Sequence, residues 1–459
     1  MRVSIHDATK RQEMLGSIEF AASESLPQKG KAAAEAADEQ ALRRYSIAME
    51  RGIMSDPTVS TGQSSGGVLD QAVSIRPEAL ATVPWYVWGG VLAVTSASVG
   101  GAWDVSWHRS IGRDTFWTPA HIAIYACGVL AAVICGYLIF ATTFGPSAEK
   151  KAASVNVLGF RAPLGAFIAA WGGIAMLTSA PFDNWWHAAY GLDVKIVSPP
   201  HTLLILGVRA VSVGVLFLIL AAMNRAVTEG APNTEHSFKA LQRLFLYLGG
   251  LIVGGQMFFL TEYTWDVKLH QASAYVAMAI ALPLVFAVLS AASRHRWAAT
   301  WAAAVYMIFV IGEILILPLF PAQPKLGPVF FPVTHMVPAK FPILIIFPAL
   351  ALDLLWQRTR AWKPWKVAAV SGFVFIAVLV MVEWPFASFL LSKASENRFF
   401  GTIYFDYNSR PNGIDRMRMF FHPDGGAALF EGFLRAAIYG SIGTWVGLRF
   451  GRWMRSVQR

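Results

Sequence analysis

"GGAWDVSWHRSIGRDTFWTPAH", Gly100 to His121, separates two apolar runs and is itself crowded with ionisable groups. The run before it ends near residue 103, and the next begins near residue 117. So short a polar stretch between two such runs reads as the end and turn of an antiparallel helical hairpin. Asp104 and His108 are four residues apart, so a first helix that continues past its apolar run carries both on one face. His121 opens the second helix, after Pro119. The hairpin thereby brings a carboxylate and two imidazoles to one depth, a donor set suited to copper, zinc or iron.

The surrounding composition says what kind of hairpin this is. The 459 residues are 55% hydrophobic and only 14% charged, with 17 Trp and 31 Phe, outside the usual range of a soluble domain. Apolar stretches of about 20 residues, enough to cross a ~30 Å hydrocarbon core, fall near 83–103, 117–142, 157–180, 200–223 and 242–262. Five more fall near 271–292, 298–320, 329–356, 366–391 and 429–449, of which the 329–356 stretch starts in a Pro-rich segment. The expected fold is an all-α integral membrane protein of about ten transmembrane helices.

Cytoplasmic loops of such proteins collect Lys and Arg. Lys150 and Lys151, Arg225 with Lys239 and Arg243, Arg294 with Arg296, Arg358 to Lys366, and Arg449 to Arg459 fall in alternate loops. Ten spans with both termini cytoplasmic satisfy them all and place Gly100 to His121 on the extracytoplasmic side. The net charge of +10 then reflects membrane anchors and anionic lipid headgroups, and nucleic acid is not an expected partner. Residues 1–82 are expected to be a polar cytoplasmic tail without the apolar core of a signal peptide. Within them the Ala-rich segment from Lys29 to Arg51 reads as a surface helix, and "STGQSSGG" from Ser60 as a flexible linker. Cys127 and Cys135, both inside the second apolar run, read as small packing residues.

The hairpin pattern repeats in "PFDNWWHAAYGLDVKIVSPPH". Asp183 and His187 are again four apart, each leading Asp is followed three residues on by Trp (Trp107, Trp186), and a second Asp follows ten residues after the first (Asp114, Asp193). His201, after Pro199 and Pro200, takes the place of His121. A poorer third echo is "TEYTWDVKLH", with Glu262, Asp266 and His270. Each group also has a structural reading. Asp and His at a membrane interface can be solvated, cap helices, or pair with Arg109 and Arg113. The repetition favours metal ligation for the first two sets, whereas Glu262, Asp266 and His270 read better as a polar network. Glu313, inside the seventh stretch, is either a functional group or a structural hydrogen-bond partner of a neighbouring helix.

"WHRSIGRDTFWTPAH" resembles the segment of the C subunit of particulate methane and ammonia monooxygenases that carries an Asp, His, His copper site. The likeness takes in Asp104, His108, Arg113, Asp114, Thr115, Thr118, Pro119 and His121. "FDNWWHAAYGLDVKIVSPPH" resembles that subunit's second metal motif, with His187 and His201 at the family spacing and Asp183 where the family usually has Asn. The later part is similar, more distantly, to the A subunit of the same enzymes. That likeness rests on "RHRWAATWAAAVYMIFVIGEILIL", on "YFDYNSRPNGIDRMRM" through Tyr407, Arg410, Ile414, Arg416 and Met417, and on "GLRFGRW". The resemblance implies a C-like membrane domain over residues 83–228 fused to an A-like membrane domain over residues 229–459. It implies copper at one or two sites, with Asp104, His108, His121, Asp183, His187 and His201 as ligands at the catalytic centres. It further implies a trimeric assembly in a bacterial or archaeal cell membrane or intracytoplasmic membrane. The family's cupredoxin-bearing B subunit has no counterpart here and is expected as a separate partner.

The activity implied is an O2-dependent hydroxylation of a small apolar substrate, a short alkane or alkene, methane, or ammonia. Trp103, Trp107, Phe116, Trp117, Trp185 and Trp186 crowd both motifs, either as an apolar pocket or as an interfacial belt. Ligand type alone leaves iron and zinc open. The electron donor is unknown. Two other readings stand beside the enzyme: a copper-handling membrane protein and a non-catalytic assembly subunit. The first lacks Met ladders for Cu(I) and ionisable residues lining the cytoplasmic halves of the spans; the second is opposed by the intact ligand spacing.

Overall fold

The structure is a computed structural model and describes residues 82–112, 116–191, 198–229, 234–261, 263–409 and 419–459. The expected surface helix and linker lie outside the described residues. So do Arg113, Asp114, Thr115, Asp193, Glu262, Arg410, Ile414, Arg416 and Met417.

Among the described residues, ten of the helices overlap the apolar stretches in order. They are α1 (Trp85–Ser110), α2 (Pro119–Phe144), α3 (Leu164–Tyr190), α4 (Pro199–Glu229) and α5 (Thr234–Phe259), followed by α6 (Ala272–Ser293), α7 (Ala298–Ile316), α8 (Ile346–Arg358), α9 (Pro364–Leu390) and α10 (Gly426–Met454). Among the described residues six segments are long and apolar enough to cross a membrane: Pro119–Phe144, Leu164–Tyr190, Pro199–Thr228, Ala272–Ser293, Ala298–Leu319 and Pro364–Leu390. The chain is a multi-pass, all-α membrane protein. Helices α1, α5 and α10 have comparable lengths of 26, 26 and 29 residues but carry polar ends, such as Asp104 to Arg109 on α1.

The stretch at 329–356 departs from expectation. Its helix, α8, has only 13 residues, about 20 Å at ~1.5 Å per residue and too short to cross a bilayer alone. The cause is local. Pro321, Pro324, Pro328, Pro332, Pro338 and Pro342 remove backbone donors and fix φ, so the chain before α8 runs irregularly, with one bridge between Pro321 and His335. The 157–180 stretch also starts later than expected. Its first residues form a hairpin, Val155–Val157 against Phe160–Ala162, turned at Leu158 and Gly159, which have φ of 52° and 89°.

Helices α1 to α4 pack in sequence, α1 on α2, α2 on α3 and α3 on α4, and α4 returns to α1. Helix α5 bridges this group to the rest, touching α1, α4, α6 and α7, while α10 lies along α6 and α9. The α3–α4 contact is set by glycine. A methyl group added to Gly172 would meet Gly207 O at 2.7 Å, and one added to Gly214 would meet Gly165 O at 2.6 Å. Membrane helices lack a hydrophobic drive to associate, so this close backbone approach supplies the packing that holds them. The same two helices carry Asp183, His187 and His201 at their adjoining ends. Replacing Gly172 by Val is therefore expected to destabilise the protein by about 1–3 kcal/mol through overpacking. Gly136→Val, at a position where an added methyl meets nothing within 4 Å, should leave thermal unfolding in lipid nanodiscs close to wild type.

Candidate metal centres

Helix α1 continues to Ser110, well past its apolar run, and so places Asp104 and His108 on one face of its last turns. Helix α2 begins with Thr118 as N-cap, its hydroxyl accepting from His121 N at 3.1 Å, and with Pro119 in the first turn. These two features fix His121 in the first turn of α2. In the resulting hairpin His121 Nε2 lies 3.1 Å from Asp104 Oδ1, and His108 Nε2 lies 3.6 Å from Asp104 Oδ2. The carboxylate straddles the pair, one oxygen toward each imidazole.

The second set is assembled in the same way. Helix α3 runs through Pro181 and ends at Gly191, whose φ of +90° suits glycine. Gly191 N donates to His187 O at 3.0 Å, and its carbonyl turns back to accept from His187 Nδ1 at 2.9 Å. Ser198 precedes α4, its hydroxyl 3.4 Å from His201 N and its carbonyl accepting from Thr202 N at 2.7 Å. Both imidazoles then converge on one oxygen: His187 Nε2 and His201 Nε2 each lie 3.2 Å from Asp183 Oδ1.

Each set of three donor atoms lies within 4.8 Å of one another. With metal–nitrogen and metal–oxygen bonds of ~2.0–2.2 Å, donors at ordinary bond angles stand about 2.9–3.5 Å apart, which is close to the spacings found. The carbonyl of Phe116, 2.5 Å from His121 Nδ1, can only accept, as can that of Gly191 at His187. Both Nδ1 atoms therefore carry hydrogens, and Nε2 of each ring faces a carboxylate oxygen. Asp104 Oδ1 and His187 Nε2 are buried and make no hydrogen bond. Two imidazoles converging on one carboxylate make a set that could hold a cation. Three protein donors also leave coordination positions open, as catalytic sites do. The second set is the more enclosed: the side chains of Asp183 and His187 are 6% and 9% exposed, against 22% and 37% for Asp104 and His108.

The third echo does not assemble into such a set among the described residues. Asp266 is buried in a short 3-10 turn, with Lys340 Nζ 3.8 Å from its Oδ2. His270 points elsewhere, its Nε2 2.8 Å from Ser388 Oγ and its ring edge-on to Trp384 and Phe421. Burial pushes the His270 imidazole below its ordinary pKa. Glu262 is outside the described residues. Glu313 sits on α7 with no hydrogen bond or ion pair for its carboxylate among the described residues.

Sequence reasoning missed several groups that serve the centres. The caps Thr118 and Ser198 stand three residues before His121 and His201, each followed by Pro, a pattern readable in advance. The Phe116 carbonyl has no signature in sequence. Two ionisable residues inside apolar runs were also passed over. Arg209 on α4 donates from Nη1 to Ile252 O at 3.1 Å, and the fully buried Glu383 on α9 accepts from Leu344 N at 2.9 Å.

Comparison of the chain with protein-family models, curated proteins and solved structures finds no match. Because Gly191 supplies both the end of α3 and the acceptor for His187, Gly191→Ala should weaken metal binding at the second centre by about tenfold or more. It places a side chain in a φ region costing ~1–3 kcal/mol. Competition with a chromophoric chelator checks this, with the first centre unchanged.

Proposed function

We propose that this chain is the metal-binding membrane subunit of a copper-dependent monooxygenase that hydroxylates a small apolar substrate, such as a short alkane or alkene, methane, or ammonia. The observation that carries the proposal is the pair of Asp, His, His sets on matched helical hairpins, each with its imidazoles converging on a carboxylate. The resemblance of both motifs to the C subunit of particulate methane and ammonia monooxygenases supports copper over zinc or iron. Under this reading residues 83–228 form the C-like domain and 229–459 the A-like domain. The chain has ten spans with α8 as a short, partial one, both termini are cytoplasmic, and the centres face the extracytoplasmic side. A separate cupredoxin-bearing subunit, an electron donor and a trimeric assembly complete the enzyme.

Copper, when bound, supplies the redox chemistry by which dioxygen, two electrons and two protons convert a C–H or N–H bond to a hydroxyl, with release of water. The chain's own residues hold and shelter that chemistry. His121 and His187 present Nε2 because Phe116 O and Gly191 O hold their Nδ1 hydrogens. Asp104 and Asp183 contribute one negative charge to each set. Around the first centre Phe116 packs 5.4 Å from His121 and 5.7 Å from Tyr125. Around the second, Trp186 lies 4.4 Å from Tyr190 and 6.1 Å from Phe182. These rings exclude water and accept an apolar substrate partitioned from lipid.

Elemental analysis of protein purified in native lipid tests the proposal. Copper near two per chain is expected, falling by one in His108→Ala and by one in His187→Ala, with oxygenase activity on small alkanes or ammonia lost along with it. Zinc at the same stoichiometry, or a metal content untouched by either substitution, would refute the copper enzyme. A metal-loaded but inactive protein, assayed with its partner subunits, favours the assembly role.

A further inference from the structure

The first centre is built from α1 and α2, yet the chain just beyond His108 is held from the far half of the sequence. Arg109 Nε donates to Asp406 Oδ1 at 2.5 Å, across 297 positions, and Arg109 Nη1 donates to Pro338 O. Tyr407 N donates to Arg109 O at 3.1 Å, Val337 N to Ser110 Oγ at 2.7 Å, and Lys325 N to Ile111 O at 2.9 Å. The residues directly after the ligand are thus clasped by the irregular segment before α8 and by the segment before α10. Asp406 is central to this clasp, since its side chain takes Arg109 and the next residue's N–H takes Arg109 O. Lys340, which also pairs with Asp266, adds a second cation acting on Asp406.

Such a clasp matters at this centre in particular. The end of a helix frays unless tertiary contacts hold it, and His108 lies within the last three residues of α1. His108 is the more open of the two, 37% exposed in its side chain against 9% for His187, which Gly191 also ties. The backbone of its turn therefore contributes to where His108 stands.

We propose that Asp406, acting through Arg109, is a positioning residue for the first centre: it keeps the last turn of α1 wound so that His108 stays in register with Asp104 and His121. The inference rests on the reading of those three residues as a metal site. It makes metal affinity in the first half of the chain answer to a carboxylate in the second half.

The test uses the full chain in lipid with Cu(II) as the probe. In a His187→Ala background, where Cu(II) resonance reports the first centre alone, Asp406→Asn is expected to weaken Cu(II) about tenfold or more in chelator competition, within the ~10–100-fold range for supporting residues of metal sites. It should also alter the hyperfine pattern, and Asp406→Glu should restore most of both. In a His108→Ala background, Asp406→Asn should leave the second centre's affinity unchanged. Unaltered affinity and spectrum at the first centre would overturn the positioning role. Equal weakening of the second centre would overturn it too, by assigning Asp406 to general folding. If the His187→Ala protein with Asp406 intact binds no Cu(II), the metal reading itself fails, and the positioning role fails with it.

Discussion

In each hairpin two imidazole nitrogens converge on one carboxylate, and the surrounding elements are arranged to deliver those three groups to one place. Burying an ion without a partner costs several kcal/mol, and Phe116 O and Gly191 O hold Nδ1 of His121 and His187 so that Nε2 of each faces Asp104 or Asp183. A proton on one ring or a cation held by the set balances the carboxylate's charge. Helices α1 and α3 run past their apolar segments to carry the Asp–His pairs, and α2 and α4 start with capped turns that deliver the second His.

The two centres solve the same problem with different geometry. In the second, both imidazoles share Asp183 Oδ1 at 3.2 Å, within a more enclosed site. In the first, Asp104 gives one oxygen to each imidazole, and His108 is partly open. Two donors on separate carboxylate oxygens tolerate small shifts of the ligands, while two on one oxygen fix a tighter triangle. An open and adjustable set is the better suited to small molecules that come and go, and an enclosed one to holding its charge. Asp183, where the resembling family usually has Asn, gives the second set the same formal charge as the first. Electrostatics then favour the same charge state of cation at both.

The hairpins were legible in sequence because the spacing that aligns their ligands is local. Four-residue spacing puts Asp104 with His108 and Asp183 with His187 whatever the rest of the chain does, and apolar length marks where helices lie. The 329–356 stretch misled because hydropathy counts Val, Phe and Ile without registering Pro332, Pro338 and Pro342 among them, which break the hydrogen-bond ladder that a span requires. The third echo had the right residue types, but the 3-10 turn at Asp266 breaks the helical register, and Lys340 and Ser388 take its members apart. Pairings such as Arg109 with Asp406 leave no periodic trace, since nothing local distinguishes Asp406 from any other polar loop residue.

The ionisable groups of the second half differ in kind from the two triads. Glu383 accepts the N–H of Leu344, just past Pro342 where the irregular segment gives way to α8. Asp353 accepts from Ala299 N, Thr300 N and Thr300 Oγ1, closing the first turn of α7. In an apolar medium an unsatisfied backbone donor costs several kcal/mol, so a carboxylate beside a broken or beginning helix has a structural reason to be there. Arg209, donating to a carbonyl of α5, has one as well. The carboxylates of the triads face imidazoles instead, Asp104 between His108 and His121 and Asp183 between His187 and His201, while Thr118 and Ser198 meet the N–H groups of His121 and His201. The second half supplies satisfied backbone around α8 and a grip on the end of α1, and the two Asp, His, His sets stand at the two hairpins of the first half.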